Sequence, residues 1–484
     1  MKIKQNNMVK KMLLGSLAIG ITAMNFTACK TPGLAQRAEN KSVPGTYANM
    51  PLDTLNTAGK TWKEYFTDAH LATLIEAALS NNQELNITMQ EIEIAKSEVR
   101  ARKGEYLPFA GLRAGAGVDK VARYTNIGAM EATTEILPGK EMPEPLQDYK
   151  IGAYASWEAD IWGKLRNAKK AAVNRYLSSV EGKNFMVTNL IAEIAGSYYE
   201  LLALDSQLAI IQQNIGIQNN AFEIVKLQKE SARVTELAVQ RFRAQVLNTQ
   251  SLQYEIMQKI AETENRINFL VGRFPQPVER SSQAFDELAP QLVQSGIPSQ
   301  LLANRPDIRQ AELDLMAAKL DVKSARARFY PSLGISAGVG YQAFNPSYIF
   351  KPQSLLYTLA GDLTAPLVNR NAIKAAYSTA NAKQVQAVYN YERTILNSYI
   401  EVANQLSLIS NLEKSYSLKS QEVEALNQST LISNDLFRSA RADYMEVLLT
   451  QRDALESKFD LIETRLQQMN AVVNIYRSLG GGWK

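Results

Sequence analysis

Residues 81–108, NNQELNITMQEIEIAKSEVRARKGEYLP, lie over residues 304–331, NRPDIRQAELDLMAAKLDVKSARARFYP, without a gap. The offset is 223 residues: Leu85 meets Ile308, Tyr106 meets Phe329 and Pro108 meets Pro331. Both copies open with a pair that suits a helix N-terminus, Asn81 with Glu84 and Asn304 with Asp307. Pro306 falls in a first turn, where its missing N–H is harmless. Both copies end at the proline. One half of the chain copies the other.

Alternation of period two follows in each copy. Leu112, Ala114, Ala116 and Val118 share one face, and Leu333, Ile335, Ala337, Val339 and Tyr341 share another at the same offset. After a polar loop, Tyr149, Ile151, Ala153, Ala155, Trp157, Ala159 and Ile161 alternate likewise. Their counterparts are Leu355, Tyr357, Leu359, Gly361, Leu363, Ala365 and Leu367, now at offset 206. Such alternation predicts strands with one wet face. The first loop, which holds Pro138, Pro143 and Pro145, is the longer one.

Long helices come next. Val187, Leu190, Ile194, Leu201, Leu204, Leu208, Ile211, Ile215, Phe222 and Val225 form a 3-4 ladder, with Ser197 and Gln218 in its gaps. Leu448, Leu455, Phe459, Ile462, Leu466, Met469, Val473 and Tyr476 do the same, with Arg452 as the exception. Both are seams for side-by-side helix packing. One helix over about 164–228 would be on the order of 100 Å long, more than a compact domain needs. The tripeptides Ser231-Ala232-Arg233 and Ser439-Ala440-Arg441 fall at offset 208, as do Gly272 and Gly480. Each tripeptide marks a long helix turning back on itself, whereas Ser324-Ala325-Arg326 is an accidental copy.

The bulk numbers exclude several classes. Basic residues (53) and acidic residues (48) are interspersed, and no run of Lys or Arg makes a nucleic-acid footprint. The one His, His70, sits in a helical pattern, and the one Cys is Cys29. A His/Cys metal site or a histidine-dependent triad therefore has too few parts. No phosphate-binding glycine loop occurs. We expect no catalytic residue, no metal and no cofactor. Lys2, Lys4, Lys10 and Lys11 precede the apolar run MLLGSLAIGITAM and then Phe26-Thr27-Ala28-Cys29. That is an export signal too short to span a membrane, and cleavage would leave Cys29 first and open to lipidation.

Each half reads helix, strand, strand, long helical hairpin, so one chain brings four strands. An open four-stranded sheet leaves edge N–H and C=O groups unsatisfied in lipid, and closure needs further chains. Two chains would give eight strands and three would give twelve.

The motifs WKEYFTDAHLATLIEAALSNNQEL, SWEADIWGKLR, IPSQLLANRPDIRQAELDL with ARARFYPSLGI, and DYMEVLLTQRDAL resemble those of the outer membrane factors, the TolC/OprM type of efflux channel. The likeness runs from about Trp62 to Trp483. The lipoprotein start is similar to the OprM branch, although Phe26 departs from the usual Leu. The resemblance implies a mixed α/β membrane protein. It would be a homotrimer with a twelve-stranded β-barrel, four strands per chain, continuing into a long α-helical coiled-coil barrel. The expected organisation is signal peptide 1–28, lipidated extension 29–67, helix 68–104, β-hairpin 105–162, long helical hairpin 163–272 and equatorial linker 273–297. The second repeat then runs as helix 298–329, β-hairpin 330–368 and long helical hairpin 369–479, with a tail at 480–484.

The function implied is a passive conduit for drugs or other toxic solutes in a tripartite system. It would be lipid-anchored in the outer membrane and reach into the periplasm. Partners would be a periplasmic adaptor and an inner-membrane pump of the resistance-nodulation-division type, without nucleic acid. The alternatives are the exit duct of an ABC-driven protein secretion or metal-export system, and a non-pore coiled-coil protein.

The resemblance places the periplasmic aperture at Glu446, Leu449, Phe437 and Ala442, with Leu449 where the family has a second acidic residue. Asp443 and Glu446 also have capping-box spacing, which leaves a purely local role open. It places adaptor contacts at Ser231, Ala232, Arg233, Ser439, Ala440 and Arg441, where the family often has Gly at the Ala positions. A plain tight turn is the other reading. Tyr149, Ile151, Trp157, Leu355, Tyr357 and Leu363 are the expected lipid-facing side chains of the barrel.

Overall fold

The computed structural model describes residues 33–34, 37–47, 55–281, 285, 288–290, 294–439 and 441–483. Cys29 and Ala440 lie outside them. The chain divides into two compact units. The first holds residues 94–176 and 313–388, and the second holds residues 39–93, 177–312 and 389–484.

The first unit is built on one antiparallel sheet. Its strands are β1 (Phe109–Asp119), β2 (Leu146–Ala159), β3 (Ser332–Ala343) and β4 (Leu355–Thr364), paired in chain order. β2 of the first repeat pairs with β3 of the second, so the two hairpins form a continuous sheet. The longer first loop holds a short helix, Asn126–Glu131, and a small two-stranded ribbon. Ala325, Phe329 and Tyr377 form a small apolar cluster beneath the sheet's second hairpin. Trp162 stacks on Tyr330 at 4.8 Å and donates from Nε1 to the Pro331 carbonyl at 2.7 Å.

The second unit is helical. Its helices are α1 (Ala69–Asn81), α4 (Glu236–Val271) and α7 (Tyr444–Ser478), with parts of α2 (Gln83–Tyr106), α3 (Lys164–Glu230), α5 (Pro306–Ala327) and α6 (Asn371–Arg438). The ladder read from the sequence is its core. Leu190, Ile194 and Leu201 are buried with Leu71, Ile75, Ile267, Met469 and Tyr476. Ser197 and Gln218, the polar interruptions, are buried as well, and Gln218 donates to Asn214 Oδ1 at 3.3 Å. Arg452, the exception in the second ladder, is exposed and pairs with Asp453.

The helix starts differ from expectation by one residue. Asn82, not Asn81, caps α2: its Oδ1 accepts from the Leu85 N–H at 2.9 Å, while its Nδ2 donates to the Leu270 carbonyl at 2.8 Å. Asn304 does not cap α5. It ends a short helix, Leu301–Asn304, and Arg305 breaks the path before Pro306. The long-range bond decides this, because only residue 82 can cap α2 and reach Leu270 at once. Arg305 is its counterpart in the second repeat, donating to the Ser478 carbonyl at 3.0 Å. It also makes a two-pronged pair with Asp307 and bonds Glu401 at 2.7 Å. A buried guanidinium needs such partners. Each repeat therefore has two helices where one was expected over 68–104 and over 298–329.

Gly272 and Gly480 end α4 and α7 with φ of 78° and 89°. A Cβ on Gly272 would lie 2.5 Å from the Asn81 carbonyl oxygen, and one on Gly480 would lie 2.6 Å from that of Asn304. Only glycine meets both demands. In the linker after Gly272, Arg280 clamps Asp205 and Glu264 at 2.5 Å each, and Phe285 is buried in the core.

Candidate functional site

Two places hold the expected functional residues: the turns between the long helices, and one face of the sheet.

The turns run from Ser231 to Thr235 and from Ser439 to Asp443. They close alike. The Arg233 N–H donates to the Gln228 carbonyl and the Arg441 N–H to the Leu436 carbonyl, both at 2.9 Å. With the Ala232 N–H donating to the Lys229 carbonyl at 2.8 Å, the first turn is a Schellman motif, and Ala232 takes its left-handed position at φ 55°. The Ser231 and Ser439 hydroxyls donate back to the Leu227 and Asp435 carbonyls at 3.2 and 2.7 Å. The Arg233 and Arg441 side chains are exposed. Beside them Lys229 pairs with Glu236 at 2.5 Å, and that hydrogen bond holds the Glu236 carboxyl below its ordinary value.

The two turns pack together. Val225, Ala238, Val239, Phe242 and Leu448 form a buried cluster, with Phe222, Phe437 and Tyr444 against it. Phe437 is thus a packing residue at the turn. With Ala442 it lines a cleft of about 340 Å³ between the turns, bordered by Arg233, Thr235 and Asp443. Glu446 and Leu449 are on another side: three residues apart, both exposed, they share the outward face of α7. The structure therefore brings together Glu446 and Leu449, and separately Phe437 and Ala442.

The capping question is half answered. Asp443 caps α7, its Oδ1 accepting from the Met445 N–H at 3.3 Å. The reciprocal arm of a capping box is not formed. Among the described residues the Glu446 carboxylate makes no hydrogen bond or ion pair, which leaves it free for another role. His70 is a first-turn residue of α1, its N–H bonded to Asp68.

On the sheet, register decides which side chains share a face. Tyr149, Ile151, Ala153, Ala155 and Trp157 face the same way as Ala116, Ala114, Leu112 and Ala110 on β1. Tyr341, Val339, Ala337 and Ile335 on β3 continue that face, and so do Leu355, Tyr357, Leu359 and Leu363 on β4. No charged residue interrupts it. Among the described residues nothing covers it: Leu112, Tyr357 and Leu359 are at least 80% exposed. Trp157 sits at the helix-proximal end, its Nε1 donating to the Tyr106 carbonyl at 3.1 Å. The opposite face carries Arg113, Lys150, Tyr154, Ser156, Glu158, Gln342 and Asp362. Among the described residues β1 and β4 are both free edges. Among the described residues no helix is long and apolar enough to cross a membrane.

The outer membrane efflux protein family matches residues 74–273 and 297–481, one copy for each repeat. The chain belongs to the outer membrane efflux protein family. It is 28% identical over 467 residues to the pyoverdine export outer membrane protein OpmQ of Pseudomonas putida, covering 96% of each chain. It is 26% identical over 432 residues to the cation efflux system protein CusC of Escherichia coli, covering 89% of this chain and 90% of the other. Among solved structures, CusC superposes with a TM-score of 0.80 at 23% identity, over 93% of this chain and 99% of that one. The open-state MtrE outer membrane channel of Neisseria gonorrhoeae gives 0.81 at 21% identity, over 94% and 99%. As an outer membrane efflux protein the chain is an efflux channel of the outer membrane that extends into the periplasm, and the fold is that of its structural neighbours.

The sequence missed Arg305, Asn82 and the left-handed Ala232. The offset pairs 82/305 and 270/478 were visible, but nothing local told that they touch.

Proposed function

We propose that three copies of this chain close their sheets into a twelve-stranded barrel and form a passive conduit, fed by an inner-membrane pump through a periplasmic adaptor. One observation carries it: a four-stranded sheet with an uncharged, largely apolar face that no described residue covers, and two edges that no described strand pairs. Such a sheet is stable in lipid only when its edges are paired by further strands. Tyr149, Ile151, Trp157, Leu355, Tyr357 and Leu363 meet lipid in this reading. The turns around Arg233 and Arg441 contact the adaptor, and their like closures, Arg233 on Gln228 and Arg441 on Leu436, offer two similar knobs. Cys29 is the lipid attachment point. A resistance-nodulation-division pump is the proposed driver. Because the named relatives are called a pyoverdine export protein and a cation efflux protein, the cargo is proposed to follow from the pump rather than from the duct.

The periplasmic aperture is assigned to Glu446 and Leu449, with Phe437 and Ala442 supporting the turn behind them. Symmetry would repeat the exposed carboxylate around the axis, and a ring of negative charge concentrates cations, polyvalent ones most. Leu449 beside it would add an apolar constriction that stops ions by dewetting. Planar-bilayer recordings test this. Glu446→Gln is expected to weaken block by hexaamminecobalt added on the turn side, and Leu449→Ala to raise conductance. If both variants match the wild type in conductance and block, the aperture lies elsewhere on the turns, with Asn434 and Asp435 as the next candidates.

A further inference from the structure

The polar face of the sheet holds a feature that conduction alone does not call for. On the row where Arg113, Gly152, Gly340 and Leu356 stand opposite one another, the two central positions are glycine. A Cβ on Gly152 would lie 2.6 Å from the Val339 carbonyl oxygen, and one on Gly340 would lie 2.5 Å from that of Ile151. No side chain fits there. Glycines in a strand interior mark close approach of another backbone, here that of the paired strand, and leave a bare surface that a ligand can also approach.

The neighbouring side chains lean away from this floor. The Tyr154 ring lies over Gly111, 3.0 Å from where a Cβ would be, and the Lys150 stem lies over Gly115 at 3.5 Å. A groove of about 630 Å³ is left, with Arg113, Lys150, Tyr154 and Gln342 around it. That volume is in the range of small-molecule sites.

The groove's charges are cationic. Arg113 stands opposite Gly152 and Lys150 opposite Gly115, so they are diagonal neighbours, roughly 7–8 Å apart. Among the described residues neither has an ion-pair or hydrogen-bond partner for its side chain. The acidic groups of the same face are placed otherwise. Asp148, about 7 Å along the strand from Lys150, accepts from Gln342 Nε2 at 2.8 Å. Asp119 lies at the loop-proximal end of β1. Glu158 and Asp362 form a separate row opposite Gly334, and Glu158 is paired with Lys164. That row is about 20 Å from the row of Arg113, beyond a Debye length in physiological salt. Two cations that no acidic group contacts, the nearest acid being Asp148 about 7 Å away and held by Gln342, are set over a bare floor and make a receptor for negative charge. The Arg fork suits phosphate or carboxylate oxygens, and the Lys adds a point charge.

We propose that this groove binds anions, with Arg113 and Lys150 as its charged groups and the Gly152–Gly340 pair as its floor. The ligand class is a small solute bearing phosphate or carboxylate groups. In a closed barrel each copy turns its groove to the lumen, so three grooves form a basic band that anionic solutes meet on the way out. The lumenal placement rests on the proposed barrel; the groove itself is complete within one chain.

Inorganic tripolyphosphate is the probe. Calorimetric titration of the detergent-purified full chain should show saturable binding, and Arg113→Gln/Lys150→Gln should weaken it at least tenfold. Arg113→Lys, which keeps the charge and loses the fork, should weaken it less. In planar bilayers, tripolyphosphate added on the loop side should block the wild type, and the double variant should need at least ten times more. Reversal potentials in a KCl gradient should shift toward cations in the double variant. Equal binding by wild type and double variant, or no binding by the wild type, overturns the proposal whatever the channel does. Binding lost in the variant without any lumenal block keeps the groove and overturns its place in the conduit.

Discussion

At the scale of single residues, Ala232 shows how a turn can be closed at a cost. A left-handed alanine is disfavoured by roughly 1–2 kcal/mol, because its Cβ crowds the following carbonyl. Glycine removes the crowding but gives up about 0.5–1 kcal/mol in chain entropy. Ala232→Gly should therefore stabilise the first turn by up to about 1 kcal/mol. The Arg233 amide, bonded to the Gln228 carbonyl, is the reporter. Its native-state hydrogen exchange should slow by as much as about fivefold, and faster exchange would show that the turn is not strained at this position. Asn82 and Arg305 show another residue-scale effect. They occupy equivalent points of the two repeats and donate to equivalent carbonyls, Leu270 and Ser478. The first does so with a neutral amide. The second needs two carboxylates beside it, because a buried charge left alone is costly.

At the scale of elements, the sheet is specified by its register. A slip of one residue would carry Tyr149, Ile151 and Trp157 to the polar side and bring Lys150 and Glu158 to the apolar one. The lipid-facing assignment follows from that phase and can be tested on it. Ala153, opposite Leu112 and Val339, and Leu359, opposite Ala337, sit mid-strand on the apolar face. Ala153→Arg and Leu359→Arg should each destabilise the membrane-inserted form by about 2–4 kcal/mol. Ser336→Arg and Thr358→Arg, on the other face, are the controls. Gly152→Arg is not a usable control, since its Cβ alone would strike the Val339 carbonyl. The measurement is the yield of folded, heat-modifiable oligomer in outer membranes. Losses confined to Ser336→Arg and Thr358→Arg would put the phase on the wrong side, and four equal yields would remove the lipid-facing assignment.

At the scale of the whole molecule, attachment to the membrane and assembly are separable. The barrel of the proposed trimer needs no anchor to stay in lipid, whereas the lipid proposed on Cys29 would serve only as one. Cys29→Ser should abolish incorporation of labelled palmitate while oligomers still form. Equal labelling of the two proteins would remove Cys29 from the anchor. The sequence by itself determined the repeats, the strands and their phase, the long helices and the places where they turn. These follow from local periodicity and from self-comparison: Leu85 over Ile308, Tyr149 to Ile161 alternating, Val187 to Val225 on a ladder. It also gave the family resemblance, because the motifs lie in contiguous stretches. Only the tertiary structure decided which asparagine caps α2, since the choice between Asn81 and Asn82 is made by the distant Leu270 carbonyl. Only it separated Phe437 from Glu446, because both are near the same turn and differ in what packs on them. The Arg113–Lys150 groove was hidden for the same reason. Its parts come from strands far apart in the chain, and no local pattern records which residues a sheet will bring opposite one another.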